Sequence, residues 1–193
     1  MVLGNDFYSR FAPYKSIMFY TKKGDDGKTQ VFGCDQKLSK SSLVAEALGT
    51  LDELNSFLGV IRSKSKNLKL KEILRQVQEN LFVIQAEVSG AKKKMAKGEI
   101  LKIEEKIDAI EKEIPPIHKF IISGSTEESS LLDYARTLVR KSERRVVAVG
   151  DEGKEKIDAN TLSYLNRLSS FLFALARHSA CKSGINEESP SYK

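Results

Sequence analysis

Five amphipathic segments joined by short connections predict an all-α chain, a five-helix bundle preceded by a glycine-rich loop. Two observations support that class. The 193 residues are 40% hydrophobic and 30% charged, rich in Leu, Ile, Lys and Glu and without tryptophan, a mixture that favours helix. Within the segments, apolar residues recur at spacings of three, four and seven. A chain of this length can form one domain with a substantial core, and one is expected here. Its parts are an irregular start (1–16), a loop (17–40), the bundle (41–184) and a loose tail (185–193).

The loop comes first. Thr21-Lys22-Lys23-Gly24-Asp25-Asp26-Gly27-Lys28-Thr29 follows an apolar run and leads to Gly33. Gly24 and Gly27 permit positive φ, so successive backbone N–H groups can turn inward around an anion. Lys22, Lys23 and Lys28 would add charge at the rim, which suits a polyphosphate and hence a nucleotide. The same residues also suit a solvated hairpin turn. Gly-Lys-Thr at 27–29 is not a Walker A loop, because position 22 is lysine where that pattern needs glycine.

The first helix is expected over about 41–64, with Val44, Leu48, Leu51 and Leu58 on its apolar face. Asn55 interrupts that face, and Asp52 and Ser56 lie beside it. The second, about 68–89, carries a heptad seam of Leu70, Ile73, Leu74, Val77, Leu81, Ile84 and Val88. A lysine-rich linker (92–98) reads as solvated. Ile100, Ile103, Ile107 and Ile110 define the third helix, closed by Pro115-Pro116. Thr126 is the expected N-cap of the fourth, with Ser129 three residues on and Glu127 and Glu128 in the first turn. That helix is expected to stop at Gly150. The fifth runs over about 158–181 and ends at Gly184.

The fourth helix carries a charged stripe. Arg136, Arg140 and Glu143 share a face, flanked by Lys141 and Arg144, beside an apolar stripe that includes Ala135, Leu138, Ser142 and Val146. Asn166, Ser170, Phe173 and Arg177 form a similar stripe on the fifth helix. Such a face can be merely solvated and held by i,i+3 pairs such as Arg140–Glu143. With the loop and Asn166 it can also neutralise phosphate and recognise a base, since a guanidinium gives two donors to two oxygens.

The formal charge of +6 suits anionic ligands. Nucleic acid is not expected as a partner, because the arginines share their face with Glu143 and no aromatic platform interleaves them. Cys34 and Cys181 have no Cys-x-x-Cys spacing, so neither a disulfide framework nor a zinc site is expected. With no apolar leader and no stretch long enough to span a bilayer, the cytoplasm is the expected location.

Four motifs together resemble the PduO-type ATP:corrinoid adenosyltransferases. They are the 21–29 loop with Gly33; Glu46-Ala47-Leu48-Gly49-Thr50-Leu51-Asp52-Glu53-Leu54-Asn55-Ser56; Ala135-Arg136 through Arg140-Lys141-Ser142-Glu143-Arg144; and Leu165-Asn166-Arg167-Leu168-Ser169 through Ala176-Arg177. The resemblance implies attack of Co(I) of cobalamin on C5′ of ATP, releasing triphosphate and forming adenosylcobalamin. It makes Thr21, Lys22, Lys23, Gly24, Asp25, Gly27, Lys28, Thr29 and Lys40 part of the ATP site. Arg140, Lys141, Ser142, Glu143, Arg144 and Asn166 would complete that site. Arg140 and Glu143 are carried over, with Asp52 and Arg136, as catalytic. Asp52 and Arg136 correspond to an ion pair across a subunit boundary, and Phe120 to an aromatic crowding the lower face of the corrin. A homotrimer is implied, with Mg²⁺ held mainly by the ATP phosphates, and with a reductase and an acceptor enzyme as further partners. Ser123-Gly124-Ser125 stands where the family has Pro-Gly-Gly, and Lys141-Ser142 where it has Arg-Ala. The implied chemistry needs no side-chain base, in keeping with His118 and His178 lying outside the motifs. A helical bundle that binds nucleotide or corrinoid without turnover is the alternative.

Overall fold

The computed structural model describes residues 19–30, 37–153 and 156–192. The expected irregular start, Gly33 and Cys34 lie outside them. Two short strands, β1 (Lys28–Gln30) and β2 (Lys37–Ser39), pair antiparallel with Thr29 opposite Leu38. Five helices follow: α1 (Leu43–Lys64), α2 (Leu68–Val88), α3 (Lys97–Glu111), α4 (Glu127–Glu152) and α5 (Ala159–Lys182).

Four of the five helices start where a short polar side chain accepts the first free N–H groups; α3 starts after Ala96 with no side-chain cap. Ser42 accepts from Ala45, Asn67 from Lys69 and Leu70, and Asp158 from Asn160. Thr126 and Ser129 form a reciprocal capping box, with Glu127 and Glu128 favourable at the positive end of α4. The expected stop at Gly150 is corrected. Gly150 stays helical, and α4 continues to Glu152, where Gly153 at φ 75° supplies the left-handed cap. A lone helical glycine lowers stability by only about 1 kcal/mol relative to alanine, less than is needed to break a packed helix.

Helix α1 packs on α2 and α4, α4 on α5, and α5 on α3. Asn80 donates to the Tyr164 hydroxyl at 3.1 Å, and Thr161 donates to the buried carboxylate of Glu87, so α2 is also tied to α5. The heptad seam of α2 therefore closes a core with Leu51, Leu54 and Leu58 of α1 and with Leu165, Leu168 and Phe171 of α5. Burial pushes the Tyr164 hydroxyl far above the usual phenol range, so it stays a neutral hydrogen-bonding group.

Two connections matter for function. The α3–α4 connection carries Pro115-Pro116 and Phe120, and Ile122 N–H donates to the Glu188 carbonyl at 2.8 Å. The segment after Gly184, expected to hang loose, is thus held there and through Glu187, which lies 2.9 Å from the Arg177 guanidinium. No helix among the described residues is long and apolar enough to cross a membrane.

Candidate functional site

Some of the residues singled out in the sequence line two cavities on different parts of the chain. Thr29, Lys40 and Asp52 line a cavity of about 850 Å³ between the ribbon, α1 and the end of α2. Phe120, Arg136 and Arg140 line a second cavity of about 730 Å³ between the α3–α4 connection, α4 and α5.

In the first group the loop folds back on the ribbon. Lys40 N–H donates to the Gly27 carbonyl, and Lys40 Nζ to the Gly24 carbonyl at 2.8 Å. Of the two loop glycines only Gly27 has positive φ, at 75°; Lys22 takes the other left-handed position, at 58°. Gly24 serves close approach instead. A Cβ there would stand 3.2 Å from both the Lys28 carbonyl oxygen and Lys40 Nζ. The expected ring of inward N–H groups is also corrected. The N–H groups of Lys23, Asp25, Gly27 and Lys28 donate to Thr21 Oγ1, the Lys22 and Gly24 carbonyls and Asp26 Oδ1. What the loop offers an anion is side-chain charge: Lys22, Lys23 and Lys28 are exposed. Asp25 is also exposed, and the Lys28 N–H and the Lys37 ammonium hold the Asp26 carboxyl below its ordinary range.

The second group stands on rigid helix. Arg136 and Arg140 are one turn apart on α4 and face the same cavity as Phe173 of α5 and Phe120. Among the described residues no carboxylate pairs with Arg140 or Arg144, so both charges are open to an anion. Phe120 is 79% exposed and so does not plug the core. Asn166 donates to Glu143 at 3.2 Å on the outer surface of α4 and α5.

Two members of the α4 block turn toward α1. Ser142 is fully buried, and its hydroxyl donates to the Thr50 and Leu138 carbonyls, so its side chain serves α1–α4 packing. Lys141 turns to α1 and pairs with Glu53 at 2.6 Å. Its helical phase places it a hundred degrees around from Arg140.

The structure adds residues that sequence reasoning passed over. His118 and Lys119 line the second cavity beside Phe120, and Phe82, Gln85 and Lys93 line the first beside Asp52. Lys93 came from the linker read as solvated. Asp133, never singled out, is buried beneath Arg136 and pairs with Arg177 at 2.6 Å. A buried arginine so near the end of α5 demands a carboxylate partner, which was the available signal.

Residues 19–179 match the family model described as cobalamin adenosyltransferase. The chain is 38% identical to the corrinoid adenosyltransferase of Bacillus subtilis over 179 residues, covering 89% of this chain and 91% of that protein. It is 37% identical to the corrinoid adenosyltransferase PduO of Citrobacter freundii over 83% of its own length, and spans about half (49%) of that longer protein. The fold is similar to that of a variant PduO-type ATP:corrinoid adenosyltransferase from Lactobacillus reuteri solved with cobalamin and ATP. The TM-score is 0.84 at 31% identity, with 90% of this chain and 97% of that chain covered. On its sequence over most of its length, and on its fold, this chain belongs to the cobalamin adenosyltransferase family.

Proposed function

We propose that the chain transfers the 5′-deoxyadenosyl group of ATP to the cobalt of cob(I)alamin, releasing triphosphate and making adenosylcobalamin. One observation carries this reading: an exposed aromatic, Phe120, faces the same cavity as the unpaired Arg140. That juxtaposition suits a flat corrinoid on the aromatic side and a polyphosphate on the cationic side.

The electron pair that forms the Co–C bond comes from Co(I), and the C5′–O bond breaks with its electrons going to triphosphate. No side-chain base is needed. The protein's work is to hold C5′ in line with cobalt and to stabilise charge on the leaving group. Arg140 and Arg144 supply that charge from α4, while Lys22, Lys23, Lys28 and Lys40 supply it from the loop and ribbon. Among the described residues no three His, Cys, Asp or Glu side chains converge as a metal site. In this reading Mg²⁺ rides on the ATP phosphates and lowers their charge.

The functional unit is a homotrimer in this reading. Asp52 and Arg136 line different cavities within one chain, and a neighbouring copy is what would bring one to the other. The single domain, the cytoplasmic location, and a reductase and an acceptor enzyme as partners belong to the same proposal.

Chemically reduced cobalamin mixed with ATP and the protein tests it. Appearance of the light-sensitive alkylcobalt spectrum with stoichiometric triphosphate is expected. Tight binding of both substrates with no such spectrum would reduce the protein to a sensor or carrier.

A further inference from the structure

Beneath the second cavity Arg136 meets a buried ion pair, Asp133 with Arg177, to which the proposed reaction gives no role. Asp133 and Arg177 are 3% and 2% exposed, and Arg177 Nη2 donates to Asp133 Oδ2 at 2.6 Å. The other carboxylate oxygen, Oδ1, stands 3.5 Å from Arg136 Nε, near enough to attract its charge without forming a hydrogen bond. Both of these atoms are buried and lack a hydrogen-bond partner. Arg177 Nε lies 2.9 Å from Glu187 of the C-terminal segment. The Phe173 ring takes both guanidinium groups, Arg177 at 4.9 Å and Arg136 at 5.9 Å from its centroid. Arg136, Phe173 and Arg177 all line the cavity that holds Phe120.

A simple α4–α5 staple does not account for this arrangement. Leu132, Val139, Leu168 and Leu172 already bury the seam, and a buried ion pair contributes little stability over apolar residues of similar volume. What the carboxylate does provide is direction. One oxygen fixes Arg177, the other draws Arg136 toward the same ring, and both guanidinium carbons stand within cation–π range of its centroid.

We infer that Asp133 is a positioning residue for the corrinoid. By holding Arg136 and Arg177 on Phe173, it sets the wall against which the corrinoid is seated opposite Phe120. The inference rests on the adenosyl-transfer reading. It concerns only the corrinoid side, so ATP handling should be untouched.

Asp133→Asn keeps the shape and removes the charge. The Michaelis constant for cob(I)alamin should rise about tenfold while that for ATP changes less than twofold, in protein with parental circular dichroism and assembly. Asp133→Leu/Arg177→Leu provides a second arm that survives a folding failure of the first. It should regain thermal stability as an apolar isostere yet keep the raised cob(I)alamin constant. If both variants bind cob(I)alamin as the parent does below their melting transitions, the cluster is only a staple and the inference fails. A parent protein with no adenosyl transfer would overturn the functional reading and this inference together.

Discussion

The two cavities are built in opposite ways. The one beside α4 and α5 is walled by long helices, with Arg136 and Arg177 held from beneath by a buried carboxylate. The one beside the ribbon is lined by Thr29, Lys40 and Asp52, and the loop before the ribbon carries exposed lysines with its backbone donors already engaged within it. The first is organised before any ligand arrives, and the second has charge but little fixed direction. In the proposed reaction that difference would leave orientation of the substrates to α4 and α5, with the loop adding charge for the polyphosphate.

The sharpest way to break the contrast is Arg140→Ala. Arg140 is exposed and contributes nothing to the core, and in the proposed reaction it would carry the leaving-group charge from the rigid side. Turnover at saturating ATP should fall by about two to three decades with an unchanged melting temperature. A kcat within threefold of the parent would remove Arg140 from the site.

Next comes the pair divided between the cavities. Asp52→Asn should lower kcat/KM roughly 10- to 100-fold, the range for one charge-assisted hydrogen bond. Assembly measured by sedimentation should weaken as well. The double swap Asp52→Arg/Arg136→Asp should restore part of both. A fully active monomer would remove the subunit-boundary role.

Phe120→Ala should slow adenosylation about five- to tenfold when cob(II)alamin must be reduced on the enzyme, while ATP affinity is spared. Its effect on stability should stay within about 0.5 kcal/mol, because the ring is exposed. On the loop side Gly24→Ala should raise the Michaelis constant for ATP about two- to fivefold, because the added methyl group crowds the Lys28 carbonyl and the end of Lys40. An unchanged ATP constant would show that the loop reshapes freely on binding.

The smallest effect is acid sensitivity. The Arg75 guanidinium lowers Glu72, Lys102 lowers Glu99, His178 and Lys182 lower Glu113, and Lys64 lowers Glu127. Each such group stabilises the fold above its unfolded value near 4.5 and loses that contribution as pH falls through its lower folded value. Glu187 runs the other way. Burial raises its carboxyl, so its contribution is fully present below pH 4.5 and is lost as pH rises. Glu72, Glu113 and Glu127 are exposed and screened by solvent, so the melting temperature should fall only slightly between pH 5 and 3. A rise over that interval would place Glu187 in control.

The bundle was legible in the residue order because amphipathic spacing and caps are local signals. Every seam position of α2 is buried or packed on the core. Thr126 and Ser129 identified the start of α4 from four residues. Legibility failed where two segments far apart decide the outcome. Gly24 is constrained by Lys40, sixteen residues on. Ser142 is buried because α1 covers it, and Asp133 has its partner 44 residues away on α5. The charged motif on α4 was visible as a block, but its helical phase divides it: Arg140 faces the cavity, Lys141 faces α1 and Ser142 faces the core.

Mixed assembly offers the most direct test of a site completed from two copies. Asp52→Asn and Arg140→Ala proteins, each impaired alone, are unfolded together, refolded as hybrids and assayed with reduced cobalamin and ATP. Where the Asp52 of one copy meets the Arg140-bearing cavity of another, hybrids gain an intact site, so turnover should recover well above that of either variant. Hybrids confirmed as mixed assemblies that remain no more active than their impaired parents would contradict a shared site.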